Sequence, residues 1–583
     1  MKWFNRLLVS LLLLVTAVSA FAQRQVTIKV LQTSDVHGAL FPYDFIRNTP
    51  TDGSLARVYT YVKQERSNPN QQVVLLDNGD ILQGQPTVYY SNFVDSTSPN
   101  IISQMLNFMG YDAATVGNHD IEAGPAVYRK VERESKFPWL AANAVSTKTG
   151  KPVFKPYVVL ERNGVRIAVL GLITPGIPKW LPGILWPNMQ FNDMVESANY
   201  WVKYIQKKEK PHIVIGLFHS GHDASYGGAD ATGSHNENAS LLVAQQVPGF
   251  DVVLVGHDHD RVARKVVNIK GDSVLILDPG ASARMLSEAI ITLNLNRQGK
   301  VESKMVSGRL AEMKNYQPDP EFMDYFAEFY RKVSDFVSRP IGQFTKPMSS
   351  ADAYFGPTAF MDFIHDVQLK ISGADISFAA PLSFVANIDS GKITISDMFK
   401  LYRFENFLYT MELTGKEIDG FLEHSASLWF NTMTSIDDNL LRFKEENGRK
   451  RLFANYYNFD SAAGIYYTID VTKPAGDRVT ITHMADGSPY DENKTYRVAI
   501  NSYRGNGGGG HLTEGAGIPH NQLQQRVVKS TDKDLRLYMM KYIEGQGEIS
   551  PQCHNYWIIV PVEWAKSAME RDRKILFNNR PND

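Results

Sequence analysis

Short hydrophobic runs recur along the first half of the chain, and several end abruptly in polar clusters. Between Val26 and about Leu295, Val/Ile/Leu-rich stretches alternate with amphipathic ones, the pattern of strands separated by helices in a layered α/β domain. The runs lack a period of two, which predicts strands covered on both faces. A helix signal follows: Asp319 as N-cap, Pro320 in the first turn, then Phe322, Phe326, Phe329, Val333, Phe336 and Val337 on one stripe that stops before Pro340. This predicts a bridging helix within 316–340. From 341 to 547 the chain carries more aromatics and a Gly505-Asn506-Gly507-Gly508-Gly509-Gly510 loop, and predicts a second α/β domain. The tail, 548–583, with Arg571, Arg573 and Lys574 after Trp564, reads as a solvated helix.

The N-terminus has a different pattern. Lys2 and Arg6 precede an apolar run from Leu7 to Val18, and Ala20-Phe21-Ala22 has the form of a cleavage site. Residues 1–22 therefore read as a signal peptide, because the run is shorter than the roughly 20 residues that span a bilayer. The expected product is exported, periplasmic or extracellular, without a membrane span after cleavage, and its first domain covers 23–315.

Composition narrows the function. A chain of 583 residues predicts two or three domains, and 43% hydrophobic with 21% charged residues is ordinary for a globular protein. Lys plus Arg number 61 against 62 Asp plus Glu, a net charge of −1, so there is no basic excess for indiscriminate nucleic-acid binding. Cys553 is the single cysteine, which excludes an intrachain disulfide.

The polar clusters carry the chemistry. Val26 to Leu31 precedes Asp35 and His37; Val73 to Leu76 precedes Asp77-Asn78-Gly79-Asp80; Ala113 to Val116 precedes Gly117-Asn118-His119-Asp120. Ile213 to Phe218 leads into His219-Ser220-Gly221-His222, and Val252 to Val255 into Gly256-His257-Asp258-His259. In an open α/β sheet, ligands bind beyond the carboxyl ends of the strands, so five such ends can share one crevice. A two-metal site needs a shared anionic ligand and neutral donors around it, and Asp35, His37, Asp80, Asn118, His219, His257 and His259 supply that set. Mixed carboxylate, amide and imidazole donors suit two divalent ions such as zinc or manganese better than magnesium. Asp77 and Asp258 are candidates to orient ligands, and His222 reads as structural.

In this order the motifs resemble the calcineurin-like metallophosphoesterases, and the two-domain plan resembles the 5′-nucleotidase family over nearly the whole mature chain. The resemblance implies one ion on Asp35, His37, Asp80 and His259 and another on Asp80, Asn118, His219 and His257, with Asp80 bridging. It implies in-line attack on phosphorus by metal-activated water, with His119, positioned by Asp120, stabilising the transition state or assisting the leaving oxygen. It also implies that the C-terminal domain stacks a nucleobase between Phe404 and Tyr503.

One stretch departs from the nucleoside-monophosphate branch. Where that branch has Asn-Gly-Gly-Gly-Ile-Arg, whose arginine grips the terminal phosphate, this chain reads Ala379-Ala380-Pro381-Leu382-Ser383-Phe384. With Glu423-His424-Ser425-Ala426 and Asn501-Ser502-Tyr503-Arg504, it is similar instead to the 2′,3′-cyclic-nucleotide 2′-phosphodiesterase/3′-nucleotidase branch. A cyclic phosphodiester carries one charge fewer than a terminal monophosphate, so losing an arginine clamp penalises it less. Arg403 and Arg504 are candidates for a substitute clamp. The expected function is hydrolysis of nucleotide phosphoesters by a monomer. The alternatives are a 5′-nucleotidase or UDP-sugar hydrolase and, in another class, a non-catalytic nucleotide-binding protein.

Overall fold

The computed structural model describes residues 24–226, 230–446 and 449–577; the signal-peptide reading, 1–22, lies outside the described residues. The chain divides into two compact units. Unit 1 comprises the chain up to Asp44, Thr49–Gly176 and Pro187–Tyr330, and unit 2 comprises Phe45–Asn48, Ile177–Trp186 and the chain from Arg331. The two short segments fall inside the first domain of the sequence reading yet cluster with unit 2. Their attachment is tertiary: Ser396 Oγ donates to the Phe45 carbonyl at 2.9 Å and Asn506 Nδ2 to the Trp180 carbonyl at 3.4 Å. No described helix is long and apolar enough to cross a membrane.

Unit 1 is built on twelve principal strands: β1 (Arg24–Thr33), β2 (Gln72–Asp77), β3 (Ala113–Thr115), β4 (Trp139–Leu140), β5 (Tyr157–Arg162), β6 (Val165–Ile173), β7 (Ile213–His219), β8 (Val252–Val255), β9 (Arg261–Val267), β10 (Ser273–Pro279), β11 (Met285–Leu295) and β12 (Val301–Glu312). They form two six-stranded sheets, ordered β12-β11-β1-β2-β3-β4 and β9-β10-β8-β7-β6-β5. Val26, Ile28, Val30, Val74 and Leu76 of the first sheet share one buried cluster with Ile167, Val169, Ile213, Ile215, Leu217, Val252 and Leu254 of the second. The other face of the second sheet packs on helices Met194–Glu209 and Ser240–Gln246 through Ala198, Val202, Ile205 and Val243. Both faces of these strands are covered, which is why their sequences lack alternation.

The five ligand-bearing runs are thus spread over two sheets rather than one. Three hydrogen bonds tie the sheets together at the carboxyl ends of their parallel strands: Gln32 Nε2 to the Val255 carbonyl at 2.8 Å, Asn78 Nδ2 to Phe218 at 2.9 Å, and Thr115 Oγ1 to Leu217 at 3.0 Å. All three side chains are buried, so each bond replaces water that the polar group would otherwise have kept.

The stripe from Phe322 to Val337 is interrupted. Two helices, Pro320–Tyr325 and Ala327–Ser338, replace the single predicted one, with Phe326 between them at φ −101° and ψ 13°. Asp319 caps the first as expected, accepting from the Phe322 N–H at 3.0 Å.

Unit 2 centres on β13 (Ile376–Ala379), β14 (Leu408–Thr414), β15 (Ser461–Ala463), β16 (Thr495–Asn501) and β17 (Val527–Ser530), in the order β15-β13-β16-β14-β17. Helix Gly415–Trp429 covers this sheet through Ile418, Phe421, Leu422 and Trp429, with the Phe378 and Phe421 rings stacked 4.0 Å apart. The C-terminal helix, Val562–Phe577, corrects the solvated reading: Ala568, Asp572 and Leu576 are buried, and the Asp572 carboxylate accepts from the Leu441 N–H at 2.8 Å. Arg571 donates to the carbonyls of Ile436 and Asp438, and Arg573 pairs with Asp352. Long basic side chains read as solvated in a sequence because the carbonyls they meet are far away along the chain.

Candidate metal centre

Tight turns bring the predicted ligands together. Asp35, His37, Asp80, His257 and His259 all have positive φ, between 48° and 85°, a region that residues with a Cβ rarely enter. Five such residues at the strand ends mark backbone whose conformation the surrounding structure enforces. Gly117 and Gly256 give the close approach: a Cβ on either would overlap Asp80 Oδ1 or Ser34 Oγ, respectively.

Two groups result. Asp35, His37 and His259 present ligand atoms within 4.8 Å of one another, and so do Asp80, His219 and His257. In the first, His37 Nε2 lies 3.0 Å from His259 Nε2, which lies 3.4 Å from Asp35 Oδ1. In the second, His219 Nε2 is 3.2 Å from Asp80 Oδ2 and 3.1 Å from Asn118 Oδ1, and His257 Nδ1 is 2.8 Å from the same amide oxygen. Donors about 2.1 Å from one ion and at right angles to each other lie about 3.0 Å apart, so the spacing fits ligands around a cation. Asn118 sits with the second group, as the resemblance implied.

The outer ring nitrogens strengthen the fit. His37 Nδ1 donates to the Gln83 carbonyl at 3.1 Å and His219 Nδ1 to the Asn78 carbonyl at 2.6 Å, which leaves each Nε2 with its lone pair facing inward. Burial would raise Asp35, but its bond to His259 and the charges of His219 and His259 bring it down to about 2. Burial also opposes charge on Asp80, yet His219 and His119 hold it well below the usual carboxylate range. Burial pushes His37 down to about 3, with His259 adding to the effect. His219 goes the other way, because Asp80 and Asp35 outweigh its burial and lift it to about 10. Where no cation is bound, a proton on His219 Nε2 faces the buried carboxylates, and an ion that displaces it finds carboxylate and imidazole donors already turned inward, the character of a cation-seeking site.

The partner expected for His119 needs correction. Asp120 is fully buried and accepts the backbone N–H groups of Gly117, Asp80, Ile81 and Leu82, at 2.7 to 3.0 Å. It fixes the loop that carries Asp80; burial and the Asp80 charge raise it to about 6. Glu122 is the carboxylate on the imidazole, pairing with His119 Nδ1. In the helix Asn118–Glu122, residues three apart share a face whereas neighbours do not, so His-x-x-Glu was the signal to follow. The His119 ring lies 5.4 Å from that of His37, beside the first group.

The remaining candidates are outside the two groups. His222 Nε2 pairs with Asp260 at 2.9 Å, and Asp258 accepts the His222 N–H. Asp77 accepts from Thr33 Oγ1 and the Gly79 N–H. In unit 2, Phe404 and Tyr503 are half-buried, and the Tyr503 ring lies over Gly508. Arg504 is not a free clamp: it is buried, pairs with Asp460 at 2.6 Å and donates to the carbonyls of Gly508 and Tyr457. Arg403 is exposed. In the stretch 379–384, Phe384 stacks on Tyr354 at 5.4 Å and meets Tyr456 and Phe577.

Comparison with known proteins gives the same two-part division. Residues 28–261 match the calcineurin-like phosphoesterase family and residues 340–514 the 5′-nucleotidase C-terminal domain family. The chain is 26% identical to the trifunctional nucleotide phosphoesterase protein YfkN of Bacillus subtilis over 94% of its own length, and spans 40% of that protein. It is also 26% identical to a 2′,3′-cyclic-nucleotide 2′-phosphodiesterase/3′-nucleotidase of Yersinia enterocolitica, over 94% of this chain and 90% of the relative. Among solved structures, a Staphylococcus aureus chain in complex with α-ketoglutarate superposes with a TM-score of 0.74 at 22% identity, covering 91% of this chain and 99% of that one. At that identity the likeness speaks for the fold.

Proposed function

We propose, from the chain's membership of the calcineurin-like phosphoesterases that carry a 5′-nucleotidase C-terminal domain, that it hydrolyses nucleotide phosphoesters, with 2′,3′-cyclic and 3′-nucleotides preferred. The observation that carries the reading is the pair of ligand groups, with the outer ring nitrogens of His37 and His219 already engaged by backbone carbonyls. Asp35, His37, Asp80 and His259 would hold one divalent ion, zinc or manganese in kind, and Asp80, Asn118, His219 and His257 the other. When bound, two such ions supply charge stabilisation for the phosphoryl oxygens and acidify a coordinated water.

The chain's own groups supply the rest. Glu122 accepts the His119 Nδ1–H and stabilises the ring in its imidazolium form, whose second proton, on Nε2, is then available to a phosphoryl or leaving oxygen. Asp120 keeps the Asp80 turn in place through its four amide contacts. In unit 2, Phe404 and Tyr503 serve as the platform for the base. A single chain carries every one of these groups, so the reading requires no second copy. The pattern in 1–22 supports export to the periplasm or beyond, and sequencing the N-terminus of the secreted product tests it.

Two features favour the cyclic and 3′ substrates. The stretch 379–384 has no arginine and packs Phe384 among aromatic rings, and Asp460 sequesters Arg504. The exposed Arg403 favours a second reading, a 5′-nucleotidase with another clamp. Measuring kcat/KM for 2′,3′-cyclic AMP, 3′-AMP, 5′-AMP and UDP-glucose on one manganese-loaded preparation decides between them. A preference for 5′-AMP or UDP-glucose, abolished in Arg403→Ala, would overturn the first reading.

A further inference from the structure

His257 is oriented differently from His37 and His219. His37 and His219 give Nδ1 to backbone carbonyls and turn Nε2 inward, whereas His257 turns Nδ1 toward Asn118 and gives Nε2 to a carboxylate, Glu237 Oε1 at 3.2 Å. In solution a neutral imidazole favours the Nε2–H form only weakly; an acceptor on Nε2 locks the proton there and frees the Nδ1 lone pair. Glu237 is about one-third exposed, at 35%, and pairs with a ring that is largely buried, at 11%.

The position of Glu237 is fixed by the neighbours of another ligand in the same group. Ser220 Oγ donates to the Glu237 carbonyl at 2.7 Å and accepts the Ala239 N–H at 2.9 Å. Asn238 Oδ1 accepts the Gly221 N–H at 3.2 Å, and Ser240 Oγ donates to the Ser220 carbonyl at 2.6 Å. Ser220, Asn238 and Ser240 are buried. The segment 237–240 is therefore fastened to the turn just after His219, and its carboxylate reaches across to His257. The arrangement ties the ends of β7 and β8, which carry His219 and His257, into one unit.

The geometry points to Glu237 as a positioning residue that sets His257 in its Nδ1-ligating form and so governs retention of one of the two ions. This rests on the reading of His257 as a ligand. Partners of this kind typically change metal affinity about 10- to 100-fold when removed. The test uses the zinc-loaded full chain and the variants Glu237→Ala, Glu237→Gln, His257→Ala and Glu237→Ala/His257→Ala. Each is dialysed against graded EDTA and its retained zinc per chain measured, and ¹⁵N NMR of labelled histidine reads the His257 tautomer. Glu237→Ala is expected to give up one ion at about 10- to 100-fold lower chelator and to lose the Nε2–H signature. Glu237→Gln, whose carbonyl can still accept Nε2–H, is expected to keep that signature and retain the ion better than Ala. The double variant is expected to be no worse than His257→Ala. Wild-type retention in Glu237→Ala, an unchanged tautomer, equal losses in Gln and Ala, or additive losses in the double variant would overturn the role of Glu237. Full retention in His257→Ala would instead overturn the ligand reading beneath it.

Discussion

Each unit buries a carboxylate among histidines, but the two assemblies have different consequences. In unit 2, Asp460 pairs with Arg504 at 2.6 Å and lies 3.5 Å from His511 Nε2, with all three side chains almost fully buried. The positive charge is built in, and burial together with Arg504 holds His511 well below its usual range. In unit 1, Asp80 faces His219 Nε2, whose outer nitrogen is held by the Asn78 carbonyl, and Asp35 faces His259 Nε2; among the described residues neither carboxylate pairs with an arginine or lysine. A buried carboxylate therefore does not mark a metal site by itself. What distinguishes the two cases is whether the chain supplies its own counter-charge and which nitrogen of each imidazole stays free.

Breaking each assembly in turn tests the contrast. Asp80→Ala is expected to lose both ions and at least about 10³-fold in kcat/KM while unit 2 stays folded. Metal analysis beside kinetics checks it, and an active, metal-replete variant would remove Asp80 from the bridge. His119→Ala is expected to keep both ions and lose about 10²- to 10⁴-fold in kcat, with Glu122→Gln losing less. If ions are lost together with activity, His119 belongs to the ligand set instead.

Asp460→Ala should behave in the opposite sense. It leaves the Arg504 charge buried with carbonyl partners but no counter-charge, so unit 2 is expected to lose about 3 to 5 kcal/mol in denaturant unfolding while zinc content is unchanged. The smallest effect concerns pH. His365 is buried between Ser377 and Ser461 hydroxyls, and burial lowers it from 6.5 to about 3. The unfolded chain therefore takes up the proton first, and stability present above about pH 6.5 is lost as pH falls toward 3. Near pH 5 the loss is about 2 kcal/mol. His365→Gln should flatten the part of the stability curve between pH 6.5 and 5; an unchanged slope would show that the group does not contribute.

Much of the site was legible because ligand residues follow their strands directly. Apolar run, turn, then Asp-x-His or Gly-His-x-His is local information, and all seven predicted ligands lie in or beside the two groups. For His119 the resemblance implied Asp120 as partner, whereas the structure pairs its ring with Glu122, which shares its helical face. Arg504 shows the converse: beside a glycine-rich loop it resembled an anion clamp, yet Asp460, 44 residues away, had already neutralised it.

The sequence by itself determined which side chains could do chemistry, the alternation of strands and helices in the first half of the chain, and the absence of an arginine in 379–384. Those properties depend on residue type and on spacing within a few residues, which hydrophobic period and turn chemistry encode directly. Only the tertiary structure decided that the five strand ends belong to two sheets, that Gln32, Asn78 and Thr115 bind those sheets together, and that Glu237 orients His257. These contacts join residues 20 to 223 positions apart, where direction and burial depend on how whole sheets pack.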